Sequence, residues 1–182
     1  VSKVLESYFP EIEVEGITQK MGMNRKTAHS YAKEFSGDYG QVRDSIIIEA
    51  SWLGYFEPNE NREIKTLIAE MMEKNNQAQL ISEYGLESFK VSVLMPTRTL
   101  CEKIMSLVRF SYSDDAISDL KNKVRHIYDI YKMLEVPEIK QFFDSEKFDE
   151  MLLKVAQDDM DSYKSNNEWL KNHPKEALIF VD

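Results

Sequence analysis

The chain of 182 residues is poor in the residues that punctuate or staple small proteins, with one cysteine, five prolines and six glycines. A single thiol, Cys101, excludes an internal disulfide framework and a cysteine-rich zinc module. Scarce glycine leaves no GxxxxGK[ST] or GxGxxG loop, which sets aside P-loop and Rossmann chemistry. No Gly-x-Ser-x-Gly elbow is present to carry a nucleophilic serine. His29, His126 and His173 show no HExxH or other metal-ligand spacing, so imidazole-held metal is not expected. No apolar run approaches the ~18 residues of a membrane span, and no signal-peptide pattern opens the sequence. A cytoplasmic protein without membrane contact is the expectation.

What is there suits a folded domain. The hydrophobic share is 42%, and a chain of this size buries roughly 70% of its unfolded surface without staples. Thirty-two acidic side chains outnumber 23 basic ones, for a net charge of −9. That balance argues against gripping nucleic acid by overall charge, although a local basic patch stays open. The sequence opens on Val1 instead of methionine, which is the expectation for a processed or trimmed piece of a longer protein.

Periodicity predicts the order of elements. Val4, Leu5, Tyr8 and Phe9 have helical spacing ahead of Pro10, whereas residues 11–26 are polar and ambiguous. Lys26–Phe35 and the β-branched run Asp44–Ser51 read as a hairpin around the turn-like Ser36-Gly37-Asp38-Tyr39-Gly40. After Pro58, Ile64, Leu67, Ile68, Met71 and Met72 predict one buried helical stripe. Phe89–Met95 reads as a third strand. Thr99 and Glu102 have the form of a capping box before Leu100, Ile104, Leu107 and Val108. Leu120, Val124, Ile127, Tyr128, Tyr131 and Leu134 predict a longer helix closed by Pro137. Phe148, Met151, Leu152 and Val155 mark another, and the polar remainder to about Leu178 is expected to be helical. The fold class is α+β: a small mixed or antiparallel sheet of about three strands, then a C-terminal helical bundle. The organisation expected is an α/β part over residues 1–96 and a helical part over 97–182, packed as one compact unit.

Two groups of residues could carry chemistry. Glu49 lies within the apolar run Ile46-Ile47-Ile48-Glu49-Ala50, so it either sits on an open sheet face or points into a lined cleft. A carboxylate in such a cleft needs a partner or a metal. The second group is helical: Arg98, Glu102, Lys103 and Arg109 after Pro96, then Arg125, His126, Asp129 and Lys132. Arg125 and Asp129 are i, i+4 neighbours. Residues 119–132 are net positive, which suits either a phosphate-bearing ligand or a solvated, salt-bridged face.

The hydrophobic-Glu-hydrophobic strand at Glu49, Pro96-x-Arg98-Thr99-x-x-Glu102-Lys103, and Arg125-His126-x-Tyr128-Asp129, in that order, resemble the nucleotidyl transferase AbiEii/AbiGii toxin family. That family lies within the polymerase-β-like nucleotidyltransferase superfamily, and the resemblance spans roughly residues 25–135. It implies transfer of a nucleotidyl group from a nucleoside triphosphate to a nucleic-acid or protein acceptor, often tRNA or another nucleic acid in related toxins, with Mg2+ held by carboxylates. By resemblance Glu49 takes the third acidic position and binds metal. Lys103, with Arg98, Arg125 and Asp129, lines the nucleotide pocket, and Glu102 caps or pairs. The family's main metal-binding element, a Gly-Ser or Gly-Gly turn followed by Asp-x-Asp, is not found in residues 1–35. Asp158-Asp159-Met160-Asp161 contains Asp-x-Asp but follows every other motif and reads as surface. The expectation is therefore the C-terminal portion of a toxin of a toxin–antitoxin or phage-defence system, inactive alone. The alternative is a non-catalytic interaction protein, such as an antitoxin-like partner, whose acidic surface masks a basic one.

Overall fold

The computed structural model describes residues 2–19, 24–34, 37, 43–51, 55–161 and 172–180. The chain divides into two compact units, Val1–Tyr55 and Phe56–Asp182. It is mixed α+β, with small antiparallel sheets and about half of the chain helical. The division expected between residues 96 and 97 falls inside the second unit, near the start of a helix.

In the first unit a short helix, α1 (Ser2–Glu6), precedes three antiparallel strands in the order β1 (Glu11–Ile12), β2 (Asn24–Ser30) and β3 (Ser45–Ser51). The expected hairpin is therefore present as β2–β3, while most of its connecting turn lies outside the described residues. Thr27, Ala28 and His29 are buried. The His29 ring links the sheet to the preceding segment: Nδ1 donates to the Phe9 carbonyl at 3.0 Å, and Nε2 lies 3.1 Å from Thr27 Oγ1. A carbonyl only accepts, so Nδ1 carries a proton.

The second unit opens on a two-stranded antiparallel ribbon, β4 (Asn59–Ile64) and β5 (Phe89–Leu94), enclosing α2 (Leu67–Lys74) and α3 (Gln79–Glu83). The sequence Asn59–Ile64 is charged and lacks alternation, so nothing local marks it as a strand. Pairing with β5 imposes it. Ile64 consequently ends a strand and does not start a helix, and Thr66 caps α2 by accepting from the Ala69 amide at 3.1 Å. The stripe expected to be buried is exposed: Leu67 is 77% accessible, Ile68 and Met71 are also exposed, and Ala69 is the buried residue of α2.

The helical part comprises α4 (Pro96–Ser111), α5 (Ala116–Lys121), α6 (Val124–Leu134), α7 (Pro137–Phe143) and α8 (Glu146–Asp161). Pro96 occupies the first turn of α4, where its missing N–H costs nothing. Thr99 is thus inside the helix, bonded to the Met95 carbonyl, and the expected capping box does not form. Leu100, Ile104, Leu107 and Val108 are buried as expected. With Cys101 and Met105, four-residue ridges of α4 meet Leu152, Val155 and Ala156 of α8, and Ala177 completes the core. Phe142, Phe143 and Phe148 pack around it, with Phe142 and Phe148 edge-to-face at 6.0 Å.

The long helix expected up to Pro137 is broken at Asn122-Lys123, and Pro137 starts α7 instead of merely ending α6. The α6 stripe is also corrected: Val124, Ile127, Tyr128 and Tyr131 face solvent, because Ile130, Met133 and Leu134 supply the core-facing side. Of the polar remainder expected to be helical, α8 continues to Asp161, residues 162–171 lie outside the described residues, and Pro174–Glu176 and Leu178–Phe180 form short 3-10 helices.

Candidate functional site

Helix α4 packs against both α8 and α6. Lys103 of α4 reaches Asp129 of α6 with Nζ 2.7 Å from Oδ2, both side chains half-buried. The donated hydrogen bond from Lys103 holds the Asp129 carboxyl below its ordinary range, aided by the Arg125 cation one turn back. Asp129 therefore stays an anion that fixes the ammonium, and Arg125 stays exposed at the edge.

His126 lies in the same group. Its Nδ1 is buried without a hydrogen-bond partner among the described residues. Desolvation, followed by Lys103 and Lys123, pushes its pKa down, with Arg109 adding to the effect and Asp129 opposing it. The imidazole is neutral at pH 7. Lys123 and Arg109 also lie against the Phe110 ring, at 4.5 and 5.3 Å from its centroid. The α4–α6 face thus concentrates cations and one fixed anion, an arrangement suited to phosphate oxygens.

Arg98, assigned to the nucleotide pocket by resemblance, is buried in the first turn of α4. Its Nε donates to Glu102 Oε1 at 2.8 Å. Its Nη1 lies 2.8 Å from Asp158 Oδ2 and donates to the Glu57 carbonyl at 2.7 Å. A cation in a helix's first turn opposes the macrodipole, which these two carboxylates offset. Glu102 pairs, as expected. Asp158 and Asp159 are not surface residues: both are mostly buried, with Asp159 Oδ2 accepting from Arg109 at 3.1 Å. Sequence reading missed these two clamps because Asp158 and Asp159 lie a whole subdomain downstream of their arginines. No local spacing links them.

Glu49 lies in the first unit, on β3, and is largely exposed. It stands directly opposite Lys26 of β2, with Nζ and Oε1 2.8 Å apart, an ordinary cross-strand pair. The described residues contain no group of three or more His, Cys, Asp and Glu able to hold a metal ion. The carboxylates of Glu49, Asp129, Asp158 and Asp159 are turned toward Lys26, Lys103, Arg98 and Arg109, so these residues do not by themselves fit Mg2+.

A family model described as "Nucleotidyl transferase AbiEii toxin, Type IV TA system" matches residues 1–179. The chain belongs to this AbiEii family. No curated protein and no solved structure matches it. Membership makes the general kind of protein a nucleotidyltransferase toxin of a toxin–antitoxin system, a class that acts on nucleoside triphosphates and generally uses divalent metals. Among the described residues of this AbiEii chain, no helix is long and apolar enough to cross a membrane.

Proposed function

We propose that this AbiEii chain holds the triphosphate of a nucleoside triphosphate on the α4–α6 face. The observation that carries the reading is the Lys103–Asp129 ion pair, which fixes an ammonium beside Arg125 and His126. In this reading Lys103 and Arg125 bind phosphate oxygens, and Asp129 positions Lys103. Arg98 acts indirectly, by locking the first turn of α4. Neutral His126 adds a donor that does not compete for the charge of the phosphates. The acceptor class in this reading is tRNA or another RNA, in a toxin opposed by a cognate antitoxin.

The 182 residues contain no Gly-Ser or Gly-Gly turn followed by Asp-x-Asp, so the same proposal holds that this chain binds nucleotide but does not turn it over. The test is equilibrium binding of each nucleoside triphosphate, in parallel with transfer of labelled nucleotide to an RNA pool. Binding weakened about tenfold or more by Lys103→Ala, with no transfer, is the expected result. Binding indifferent to Lys103 and Arg125 would refute the site. Transfer lost on Glu49→Ala would refute the claim of inactivity.

The interaction-protein reading is favoured by a different observation, the ion pairing of the acidic side chains at Glu49, Asp129, Asp158 and Asp159. It predicts no nucleotide binding at all, so the same titration separates the two.

A further inference from the structure

The β4–β5 ribbon is a sheet of two strands exposed on both faces at its Ile64–Phe89 end. Ile64 and Phe89 are directly opposed, and Val91 follows on the same face opposite Arg62. Their accessibilities are 39%, 56% and 38%, large for three apolar side chains sharing one small surface. A lone two-stranded ribbon is marginal in water, and an apolar free edge is a template for a further strand. Of the two outer edges, that of β4 is guarded by Glu60, Arg62 and Glu63. The edge of β5, with Phe89, Val91 and Val93, has Lys90 as its one charge.

Charge decides what sits there. Residues 56–95 carry seven acidic and four basic side chains. Arg62 and Lys65 are already paired with Glu60 and Glu73, while Glu83 and Glu87 stand exposed just before β5. A second copy would bring the same acidic rim within a chain of net charge −9, and a phosphate backbone would be repelled likewise. We propose that the outer edge of β5 is a docking site for a basic, extended segment of another protein. That segment adds as a third strand and lays alternate apolar side chains over Ile64, Phe89 and Val91. Backbone hydrogen bonds supply affinity, and Glu83 and Glu87 select the sign of the partner's charge.

The test uses the full chain and three synthetic peptides: alternating Lys and Val, alternating Glu and Val, and the Lys–Val peptide interrupted by proline. The Lys–Val peptide is expected to bind at least about tenfold tighter than either control. Its binding should slow hydrogen exchange at the β5 amides not bonded to β4. Phe89→Ser with Val91→Ser should abolish binding. Glu83→Lys with Glu87→Lys, which leaves the ribbon's apolar face intact, should equalise the Lys–Val and Glu–Val peptides. Equal binding of both peptides by the unaltered chain, tight binding of the proline-interrupted peptide, or unchanged β5 exchange would overturn the proposal. So would concentration-dependent dimerisation that masks β5 without peptide, or RNA protecting the same amides.

Discussion

Replacing Arg98 by methionine isolates what one buried guanidinium does for the helical core. Methionine roughly keeps the volume of the aliphatic stem, so the change removes charge and donors more than packing. Arg98 holds Glu102, Asp158 and the Glu57 carbonyl, at 2.8, 2.8 and 2.7 Å. Its loss leaves a mostly buried Asp158 with a 3.5 Å contact to Lys154, and leaves the other two acceptors without this donor. Breaking a buried pair from one side costs about 3–5 kcal/mol. The Lys154 contact cushions Asp158, so about 3 kcal/mol is expected. For a unit the size of Phe56–Asp182, 1 kcal/mol moves Tm by roughly 3–5 °C, giving a fall of about 10–15 °C. Circular dichroism melts measure it. Arg98→Lys should recover little, since one ammonium cannot reproduce the planar fork. Arg98→Met with Asp158→Asn should regain part of the loss, because the orphaned charge goes too. A Tm within about 3 °C of the unaltered chain for Arg98→Met would refute the clamp.

The remaining predictions address the core, the thiol and the site. Leu100→Ala should destabilise by about 2–5 kcal/mol in urea unfolding, whereas Leu67→Ser at an exposed position should stay within about 0.5 kcal/mol. Burial pushes the Cys101 thiol up to about 12, from an ordinary 9.0, so it should resist alkylation until the protein unfolds. The folded state then holds that proton where the unfolded state has lost it, so the contribution to stability is present below pH 9.0 and is lost as pH rises toward about 12. Asp129 should titrate below its ordinary 3.8 by carboxyl NMR and return toward it in Lys103→Met. Because its pKa is depressed in the fold, that contribution is present above pH 3.8 and is lost in acid.

The sequence was most legible where a local pattern and the tertiary environment asked for the same thing. The α4 stripe is periodic and is also covered by α8, so Leu100, Ile104, Leu107 and Val108 were readable as core. The β3 run was readable because β-branched residues suit a pleated surface. The α2 and α6 stripes show where that logic stops. Periodicity says which side chains share a face, not whether another element covers it. β4 had no pattern of its own, and only its partner made it a strand. At the site, Lys103 and Asp129 were legible as members of one motif series, and the structure joins them. Arg98 was legible as important but not as buried, since Asp158 lies 60 positions further along the chain.

That separation also sets an order of events during synthesis. The apolar side of α4 is made about 50 residues before Leu152 and Val155, and longer still before Ala177. At ~5–20 residues per second, α4 waits roughly 3–10 s for the surface that covers it. During that interval Leu100, Met105 and the thiol of Cys101 lack the partners that later hide them. The nascent chain is then open to chaperone capture and to oxidation, and a ribosome pausing between residues 111 and 146 would prolong both exposures.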